Sequence, residues 1–316
     1  MKGLKYKLNL TPDFQFYRYN SYEGLFDFGL AKHDITAVTE QQTRTRNILV
    51  ENLLTFDRTF GDHKVSALVG YTYQDSRYRY MQGSGQGMPT GITEIDAASQ
   101  GLAVSGNSSR SVLTSILGRA FYSYKNRYLL TATIRRDGSS KFGSNYRYGN
   151  FPSVSVGWNI AEEDFVKNSV SWLDQLKLRG GYGVLGNQEI DNYQYVSVVT
   201  TGINYPDGKS GLIQGAFPKT FANPDIKWER TSEFNGGLDY AFFNHRLFGS
   251  IDGYYRYTKG ALAPSPYPLE SGSTSYTSNL IDLSNKGVEI EIGGDIIRTA
   301  DWTRTSKFNI ALKRNK

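Results

Sequence analysis

One stretch of the chain has the residue types of a nucleotide site. Residues 181–186 read GYGVLG and match GxGxxG, a pattern that binds dinucleotide phosphates where a strand leads into a helix. The chemistry needs that helix, because its N-terminus holds the pyrophosphate. Residues 187–192 (NQEIDN) show no helical periodicity. We therefore interpret the glycines as a bend at which a strand enters a loop.

The sequence gives equally little support for a metal site or for acid–base catalysis. The chain has no cysteine, and its three histidines, His33, His63 and His245, are scattered. Residues 137–140 (DGSS) are typical of a turn, and the acids of 161–165 (AEEDF) are typical of the first turn of a short helix. Neither stretch has calcium-loop spacing. The sequence therefore predicts no catalytic residue, cofactor-binding residue or metal ligand, and no enzyme, since an all-β enzyme would need a catalytic constellation.

Strands dominate the elements that would position any site. Eleven segments alternate apolar and polar residues with the period of two that a strand with one apolar face requires. In 128–135, Leu130 and Ile134 alternate with Thr131 and Thr133. The eleven segments are 4–10, 46–56, 64–73, 112–124, 128–135, 151–158, 176–182, 227–242, 246–257, 288–295 and 308–313. The predicted fold is all-β, with almost no helix.

The links between these segments alternate in length. The second, fourth, eighth and tenth are short, the sixth (162–174) is intermediate, and the long ones are 20–38, 82–110, 137–150, 185–226 and 259–285. Residues 194–201 are interpreted as a hairpin within a loop, because an extra crossing strand would break this alternation. Aromatic residues flank the short links, as Tyr122 and Tyr124 do. An antiparallel up-and-down transmembrane β-barrel has this organisation, with short turns at one end and long loops at the other.

Composition is compatible with that fold. The 316 residues include 33 glycines, 23 tyrosines and 17 phenylalanines, which suits pleated sheets and their turns. No apolar run approaches the roughly 20 residues of a membrane-spanning helix, and residues 1–5 are not followed by the apolar segment of a signal peptide. The net charge of +6 is spread along the strands and mixed with acids. We therefore expect no nucleic-acid partner.

Alternation alone does not separate a membrane barrel from a soluble β-sandwich, because both have one apolar and one polar face. Long alternating segments, aromatics beside the short turns and charges in mid-strand favour the barrel. The alternative is a secreted, soluble all-β module that binds carbohydrate or forms fibres. The two differ in what covers the apolar side chains, which is lipid in the barrel and a second sheet in the soluble module.

Ordered blocks of sequence then point to a family. They are 127–143 (RYLLTATIRRDGSSKFG) with 147–158 (RYGNFPSVSVGW), 176–188 (LKLRGGYGVLGNQ), 223–231 (NPDIKWERT) with 242–247 (FFNHRL), and 284–289 (SNKGVE). In content, order and spacing they resemble the SusC/RagA type of TonB-dependent outer-membrane transporter. The blocks span most of 111–316, and the first 110 residues fit as preceding barrel strands.

The resemblance implies a barrel of about 22 strands in the bacterial outer membrane, surrounded by lipid, with a plug in its lumen. It implies import of oligomeric nutrients, glycans or peptides, with a SusD-like lipoprotein as lid and TonB as energy source. Residues 1–316 are then a partial barrel domain of about eleven strands, without the plug domain, the TonB-contacting segment or the closing strands. Such a part alone would have two open sheet edges, which do not persist in lipid.

The resemblance places substrate and lid contacts in the long loops, around 82–110, 137–149, 185–225 and 259–284, without singling out ligand-binding residues. Trp172, Trp228 and Trp302 lie near predicted strand ends and could stack on sugars. We interpret them instead as anchors at the membrane interface, where tryptophan is enriched.

Overall fold

The chain is almost entirely β-structure in a computed structural model, which describes residues 3–209, 211–266, 268, 270 and 275–316. The strands are β1 Leu4–Glu23, β2 Phe26–Asp27, β3 Lys32–His33, β4 Ala37–Phe60, β5 His63–Gln86, β6 Gln100–Tyr124, β7 Tyr128–Ser139, β8 Tyr148–Asn159, β9 Leu173–Asn187, β10 Val198–Pro206, β11 Leu212–Thr220, β12 Glu229–Phe242, β13 Leu247–Pro266, β14 Ser275–Arg298 and β15 Thr303–Asn315.

Eleven of these strands form one large sheet in the order β1-β4-β5-β6-β7-β8-β9-β12-β13-β14-β15. Each predicted segment matches one of these strands, with starts that differ by at most two residues where the segment begins first (227 against Glu229, 246 against Leu247). The eleven strands and their up-and-down order are therefore confirmed. The remaining strands pair as two small sheets, β2 with β3 and β10 with β11. Two compact units divide the chain: 8–51 with 72–113, and the first seven residues with 52–71 and 114–316.

The strands are longer than the alternation predicted. β4, β5 and β14 each contain 24 residues and β6 contains 25. Half of the link predicted at 82–110 is therefore strand, because β5 runs on to Gln86 and β6 begins at Gln100. Residues 105–110 (SGNSSR) are polar on both faces, so no apolar period marks them, yet backbone pairing continues there.

Short connections have the geometry of tight hairpins. Lys125 and Asn126 take φ of 50° and 56°, and Arg127 N–H donates to the Tyr124 carbonyl over 2.9 Å. Two consecutive residues at positive φ match the twist of the strands they join. Phe243, Asn244 and His245 also have positive φ in the link between β12 and β13. The tight turns predicted at these places are confirmed.

The hairpin predicted inside the long link at 185–226 exists, but its position was wrong. The strands that pair are β10 and β11, whereas 194–201 was expected. The hairpin stays outside the large sheet, so the alternation of short and long links is preserved. Its β-branched residues, Val198, Val199 and Ile203, favour strands without adding a crossing one.

Apolar side chains form continuous rows along one face of the sheet. Residues paired across β8, β9, β12, β13, β14 and β15 include Trp158, Leu178, Leu238, Ile251, Ile290 and Ile310. Leu178 is 49% exposed and Ile290 is 37% exposed. In the described part of the chain, therefore, no second sheet covers this row. This exposed row agrees with a barrel, in which lipid covers the apolar face, and contradicts the soluble two-sheet alternative.

In the described residues, helical structure consists of short turns such as Ile160–Glu162 and helix α1, Asp164–Lys167. The short helical turn predicted at 161–165 is confirmed. Among the described residues, no helix has the length and apolar character needed to cross a membrane.

Glu163 ties this helical connection to the sheet. Its carboxylate accepts hydrogen bonds from the Tyr128 hydroxyl over 2.7 Å and from the Trp158 indole over 2.9 Å, and it pairs with Arg127 over 3.3 Å. The residue is buried. The Tyr128 hydrogen bond, followed by that of Trp158, holds the pKa of Glu163 below its usual range.

Stability should consequently depend on the ionisation of Glu163. A carboxylate whose pKa is lowered by folding stabilises the protein above its unfolded pKa, and this contribution is lost as the pH falls through the folded value. We expect the full-length protein in detergent to unfold at lower temperature in the Glu163→Gln variant at neutral pH. The difference should narrow as the pH falls below the usual range of a glutamate pKa, because wild-type Glu163 then gains its proton.

The neighbouring Glu162 supplies the control, because it pairs with Lys167 at an exposed position. Glu162→Gln should follow the wild-type profile of unfolding temperature against pH. The role of the carboxylate would be contradicted if the difference in unfolding temperature between wild type and Glu163→Gln were the same at neutral and at acid pH.

An added charge should destabilise the protein strongly on the apolar face of the sheet and only slightly on the polar face. Ile290→Arg places a cation among Ile251 and Ile310 on the apolar face, and a cost of about 2–4 kcal/mol is expected toward the bilayer midplane. Asn309→Arg, opposite Glu291 on the other face, should cost less than about 0.5 kcal/mol. Reversible unfolding from lipid vesicles measures both, and equal costs would contradict the assignment of faces.

Candidate functional site

Charged side chains line the face of the sheet opposite the apolar rows. The polar wall consists of Arg179, Glu233, Asp239, Asp252 and Arg256. Arg179 donates to Asp239 over 3.1 Å and to Asp252 over 2.8 Å, so one guanidinium joins β9, β12 and β13. Arg256 donates to Glu233 over 2.8 Å.

An open pocket of about 560 Å³ lies along this wall, lined by Arg179, Glu233, Asp252 and Arg256 among others. Both signs of charge alternate there, and the side chains are partly exposed. Such a surface offers many hydrogen bonds without attracting one sign of charge strongly. It suits contact with water and with polar solutes.

A buried aromatic cluster lies where β7, β8, β9 and β12 meet their long connections. This loop hub consists of Phe142, Phe151, Ile226 and Trp228. The Trp228 ring lies 5.0 Å from Phe142 and 5.4 Å from Phe151, measured between centroids. Phe142 and Ile226 are fully buried, and the Trp228 indole donates to the Arg147 carbonyl over 3.1 Å. The hub thereby packs residues from the 140–147 and 188–228 connections together.

The block 223–231 explains why these connections hold their shape. The Asn223 amide donates to the Thr277 carbonyl over 2.8 Å. Asn279 accepts from the Lys227 backbone N–H over 3.0 Å, and its amide donates back to the Lys227 carbonyl over 2.8 Å. Glu229 accepts from the Leu262 N–H over 3.1 Å. The block therefore anchors the longest described connection to β13 and β14.

The hub corrects the interpretation of Trp228. That residue is 7% exposed and lies inside the hub, so it is not an interfacial anchor. Trp172 and Trp302 are exposed beside short connections, where an interfacial role remains a prediction. The sequence did contain a sign of this position. Trp228 follows the turn-forming residues Asn-Pro-Asp (223–225) in a long connection and does not lie beside a short turn.

The interpretation of 137–140 as a turn was wrong for its first three residues, which are strand, while Ser140 lies in the turn that follows. β7 continues to Ser139, and the connection to β8 follows it. Asp137 is buried and accepts from Arg135 over 2.6 Å, while Arg135 also donates to Ser115 over 3.1 Å. The acid is thus one half of an ion pair within β7, and Arg135 also joins this pair to Ser115 on β6. No group of three or more histidine, aspartate or glutamate residues suited to a metal occurs in the described chain.

The glycines of 181–186 lie within β9, so the predicted bend at the start of a loop was also wrong. The GxGxxG stretch leads into no helix and cannot present a helix N-terminus to phosphate. Glycine is needed at Gly186 for packing, since a Cβ there would overlap the Phe151 ring. The glycine at this position therefore serves packing, because it leaves room for the Phe151 ring of the loop hub.

Histidines remain isolated from one another chemically. The His33 ring bonds the Gly24 carbonyl over 2.9 Å, and the His63 ring bonds the Tyr122 hydroxyl over 2.8 Å. His245 lies in a tight turn, where its backbone N–H donates to the Asp174 carboxylate over 2.9 Å. Each has a local structural role that requires no ligand.

Comparison with known proteins agrees with this geometry. Residues 2–314 match the family described as TonB dependent receptor-like, beta-barrel. The TonB-dependent receptor SusC of Bacteroides thetaiotaomicron is 40% identical over 212 residues, which cover 66% of this chain and 21% of SusC. The TonB-dependent receptor P39 of Formosa agariphila is 33% identical over 270 residues, covering 84% of this chain and 25% of the relative.

Solved structures give the same result. The RagAB peptide transporter superposes on the whole of this chain with a TM-score of 0.91 at 27% identity, using 35% of the transporter chain. The complex of FpvAI with pyocin S2 superposes with a TM-score of 0.56 at 11% identity, which shows a shared fold alone. This chain spans between about a fifth and about a third of the length of these relatives. It therefore belongs to the TonB-dependent receptor-like β-barrel family, is of the SusC/RagA type, and forms part of a transmembrane barrel of the bacterial outer membrane.

Proposed function

We propose that the whole protein containing this chain imports oligomeric nutrients, glycans or peptides, across the outer membrane. The observation that carries the proposal is the superposition of the entire chain on the RagAB peptide transporter with a TM-score of 0.91. The identity of 40% to SusC supports the same class. Residues 1–316 contribute barrel wall and extracellular connections, while a plug and the remaining strands belong to other parts of the protein.

The polar wall supports passage of a hydrophilic oligomer. The pocket along the wall is lined by three basic residues (Arg179, Arg256 and Lys313) and three acidic ones (Glu233, Asp252 and Glu289). Because the two signs balance, the wall does not hold a charged solute tightly. Transport needs contacts that release their solute as readily as they bind it. Weak, distributed hydrogen bonds meet that requirement better than a single deep charged site.

The loop hub supports a partner at the outer end. It packs the connections 140–147 and 188–228 together, and Asn223 and Lys227 beside it hydrogen-bond to Thr277 and Asn279 of β14. A rigid rim binds a lid protein with a smaller loss of conformational entropy than mobile loops would. A SusD-like lipoprotein is the proposed lid, and TonB, acting through the plug, is the proposed source of energy.

Catalysis is not part of the proposal. The named relatives are receptors and transporters, and the ionisable clusters of the polar wall are compensated ion pairs. The proposed chemistry is binding and release of the oligomer, without a bond made or broken in it.

Deletion of the gene in its host tests the function. We expect growth to be lost on one class of oligomer, either an oligosaccharide or an oligopeptide, and retained on the corresponding monomer. Loss of TonB should produce the same pattern, because transport depends on its energy. Growth of the deletion strain on every oligomer tested in a panel of both classes, at the wild-type rate, would overturn the proposal.

Removal of the hub's central ring tests its role in positioning the lid. Trp228→Ala removes a buried aromatic side chain, which typically costs about 3–5 kcal/mol. We expect weaker co-purification of the lipoprotein with the full-length receptor, together with a lower unfolding temperature in detergent.

Trp302→Ala is the matched control, because Trp302 is 77% exposed in a tight turn. It should leave co-purification of the lipoprotein unchanged. If Trp228→Ala lowers the unfolding temperature but retains the lipoprotein at the wild-type level, the hub stabilises the barrel without organising the lid interface.

A further inference from the structure

One aromatic ring lies in the open pocket along the polar wall. Tyr254 on β13 shares a face with Asp252 and Arg256, because side chains two residues apart in a strand point to the same side. The other residues that the structure places around this pocket bear charges or amides, with Gly253 as the exception. The pocket thus joins one apolar surface to many hydrogen-bonding groups.

A neighbouring glycine determines where the ring lies. Tyr254 pairs with Gly287 of β14, and a Cβ on Gly287 would be 2.9 Å from two carbons of the ring. The ring therefore extends over Gly287, in space that another side chain would fill. On the other side, Asn235 of β12 pairs with both Tyr254 and Gly181. Glycines on both sides leave the half-buried ring accessible from the lumen.

Ion pairs border the ring toward both ends of the strand. On the long-loop side, Arg256 donates to Glu233 over 2.8 Å. On the short-turn side, Arg179 donates to Asp252 over 2.8 Å. These pairs hold the four side chains in place, while each carboxylate keeps lone pairs for a second donor. The ring therefore has a fixed polar border.

Other polar side chains of the pocket have groups to spare. Asn235, Asn285, Glu289 and Lys313 line it, and within the described part of the chain their side chains form no hydrogen bond and no ion pair. Asn235 and Glu289 are also exposed. Their donors and acceptors are consequently available to a solute in the lumen.

The pocket carries no net charge, because its three basic and three acidic side chains balance. A charged group in the pocket would meet a like charge as closely as an opposite one, and like charges in contact are unfavourable. The pocket is therefore suited to an oligomer that is polar but neutral.

A sugar ring has the matching chemistry. The face of an aromatic ring carries partial negative charge, which attracts the C–H groups on one side of a sugar ring. The hydroxyls at the edge of the sugar donate and accept, as carboxylates, amides and guanidinium groups require. A peptide would instead be recognised by a free strand edge or by pockets for alternate side chains. The strand beneath Tyr254 is paired on both sides.

We propose that this pocket is a subsite for a neutral oligosaccharide, with the Tyr254 ring as the surface on which one sugar residue stacks. Asn235, Glu233 and Asp252 hydrogen-bond to the hydroxyls of that residue. The pocket volume of about 560 Å³ lies within the range of small-molecule sites, about 300–1,000 Å³. The inference rests on the proposed import function and narrows its substrate from oligomeric nutrients to neutral glycans.

Isothermal titration calorimetry on the full-length receptor in detergent tests the subsite. The probes are neutral hexasaccharides of glucan, xylan, mannan, galactan and fructan, the acidic hexagalacturonate, and a library of hexapeptides. We expect wild type to bind a neutral hexasaccharide more tightly than the acidic sugar or the peptides. Tyr254→Ala should weaken this binding about tenfold, since an aromatic contact accounts for up to about one power of ten in affinity. Tyr254→Phe keeps the ring and should bind like wild type.

Tyr255→Ala is the matched control, because Tyr255 is the next residue of β13, lies on the apolar face and pairs with Phe234. It should leave the affinity for the hexasaccharide unchanged. Asn235→Ala keeps the test open if Tyr254→Ala fails to fold. Asn235 is exposed, so its removal should spare the fold and weaken the hexasaccharide about three- to tenfold, the effect of one hydrogen bond.

Three results would overturn the proposal. The first is wild-type affinity for the hexasaccharide in Tyr254→Ala or, where that variant does not fold, in Asn235→Ala. The second is a loss in Tyr254→Phe or Tyr255→Ala as large as that in Tyr254→Ala. The third is tighter binding of hexagalacturonate or of hexapeptides by wild type, which would reject the sugar subsite and leave import of an oligomer standing. A wild type that binds none of the probes would contradict the subsite and the proposed import together.

Discussion

Every backbone N–H and C=O group within lipid must find its partner in the sheet, because hydrocarbon offers none. The eleven-stranded order follows from that requirement, since each strand pairs with its neighbours in the chain and tight turns join them with the fewest unpaired groups. Lys125 and Asn126 accept left-handed backbone at one such turn so that the ladder continues without interruption. Side chains can then differ on the two faces without disturbing the backbone, which is why an apolar row and a charged wall occupy the same strands.

This separation of backbone from side chains explains what the sequence could predict. The apolar row through Leu178 and Ile290 is required by lipid, so its period of two is visible and it locates the strands. Beyond the apolar band, the backbone hydrogen bonds between strands continue, but the outward side chains no longer need to be apolar. Residues 105–110 (SGNSSR) therefore belong to β6 although their composition is that of a loop. The order of the strands was predictable, whereas their ends were not.

The loop hub was not predictable, because its residues are separated in sequence and joined only by packing. Phe142, Phe151 and Trp228 come from three different segments, and nothing in their local spacing brings their rings within 5.0 to 5.4 Å of Trp228. The blocks that revealed the family nevertheless contain all three. Those blocks thus contain the residues that pack the outer end together, and not residues that carry out a reaction. Gly186 is one of them, because the Phe151 ring occupies the space that a side chain would need.

The distribution of charged residues differs between the two faces of the sheet and along its strands. On the polar wall, Arg179 is paired with two carboxylates, and acids and bases alternate along the pocket. On the outward face of β4, β5 and β6, Arg46, Arg77 and Arg110 surround Asp75. An uncompensated arginine within the hydrocarbon would cost about 2–4 kcal/mol at the midplane and little near the interface. The change from Ile48 to Arg46 on the outward face of β4 therefore marks where the apolar band of this strand ends.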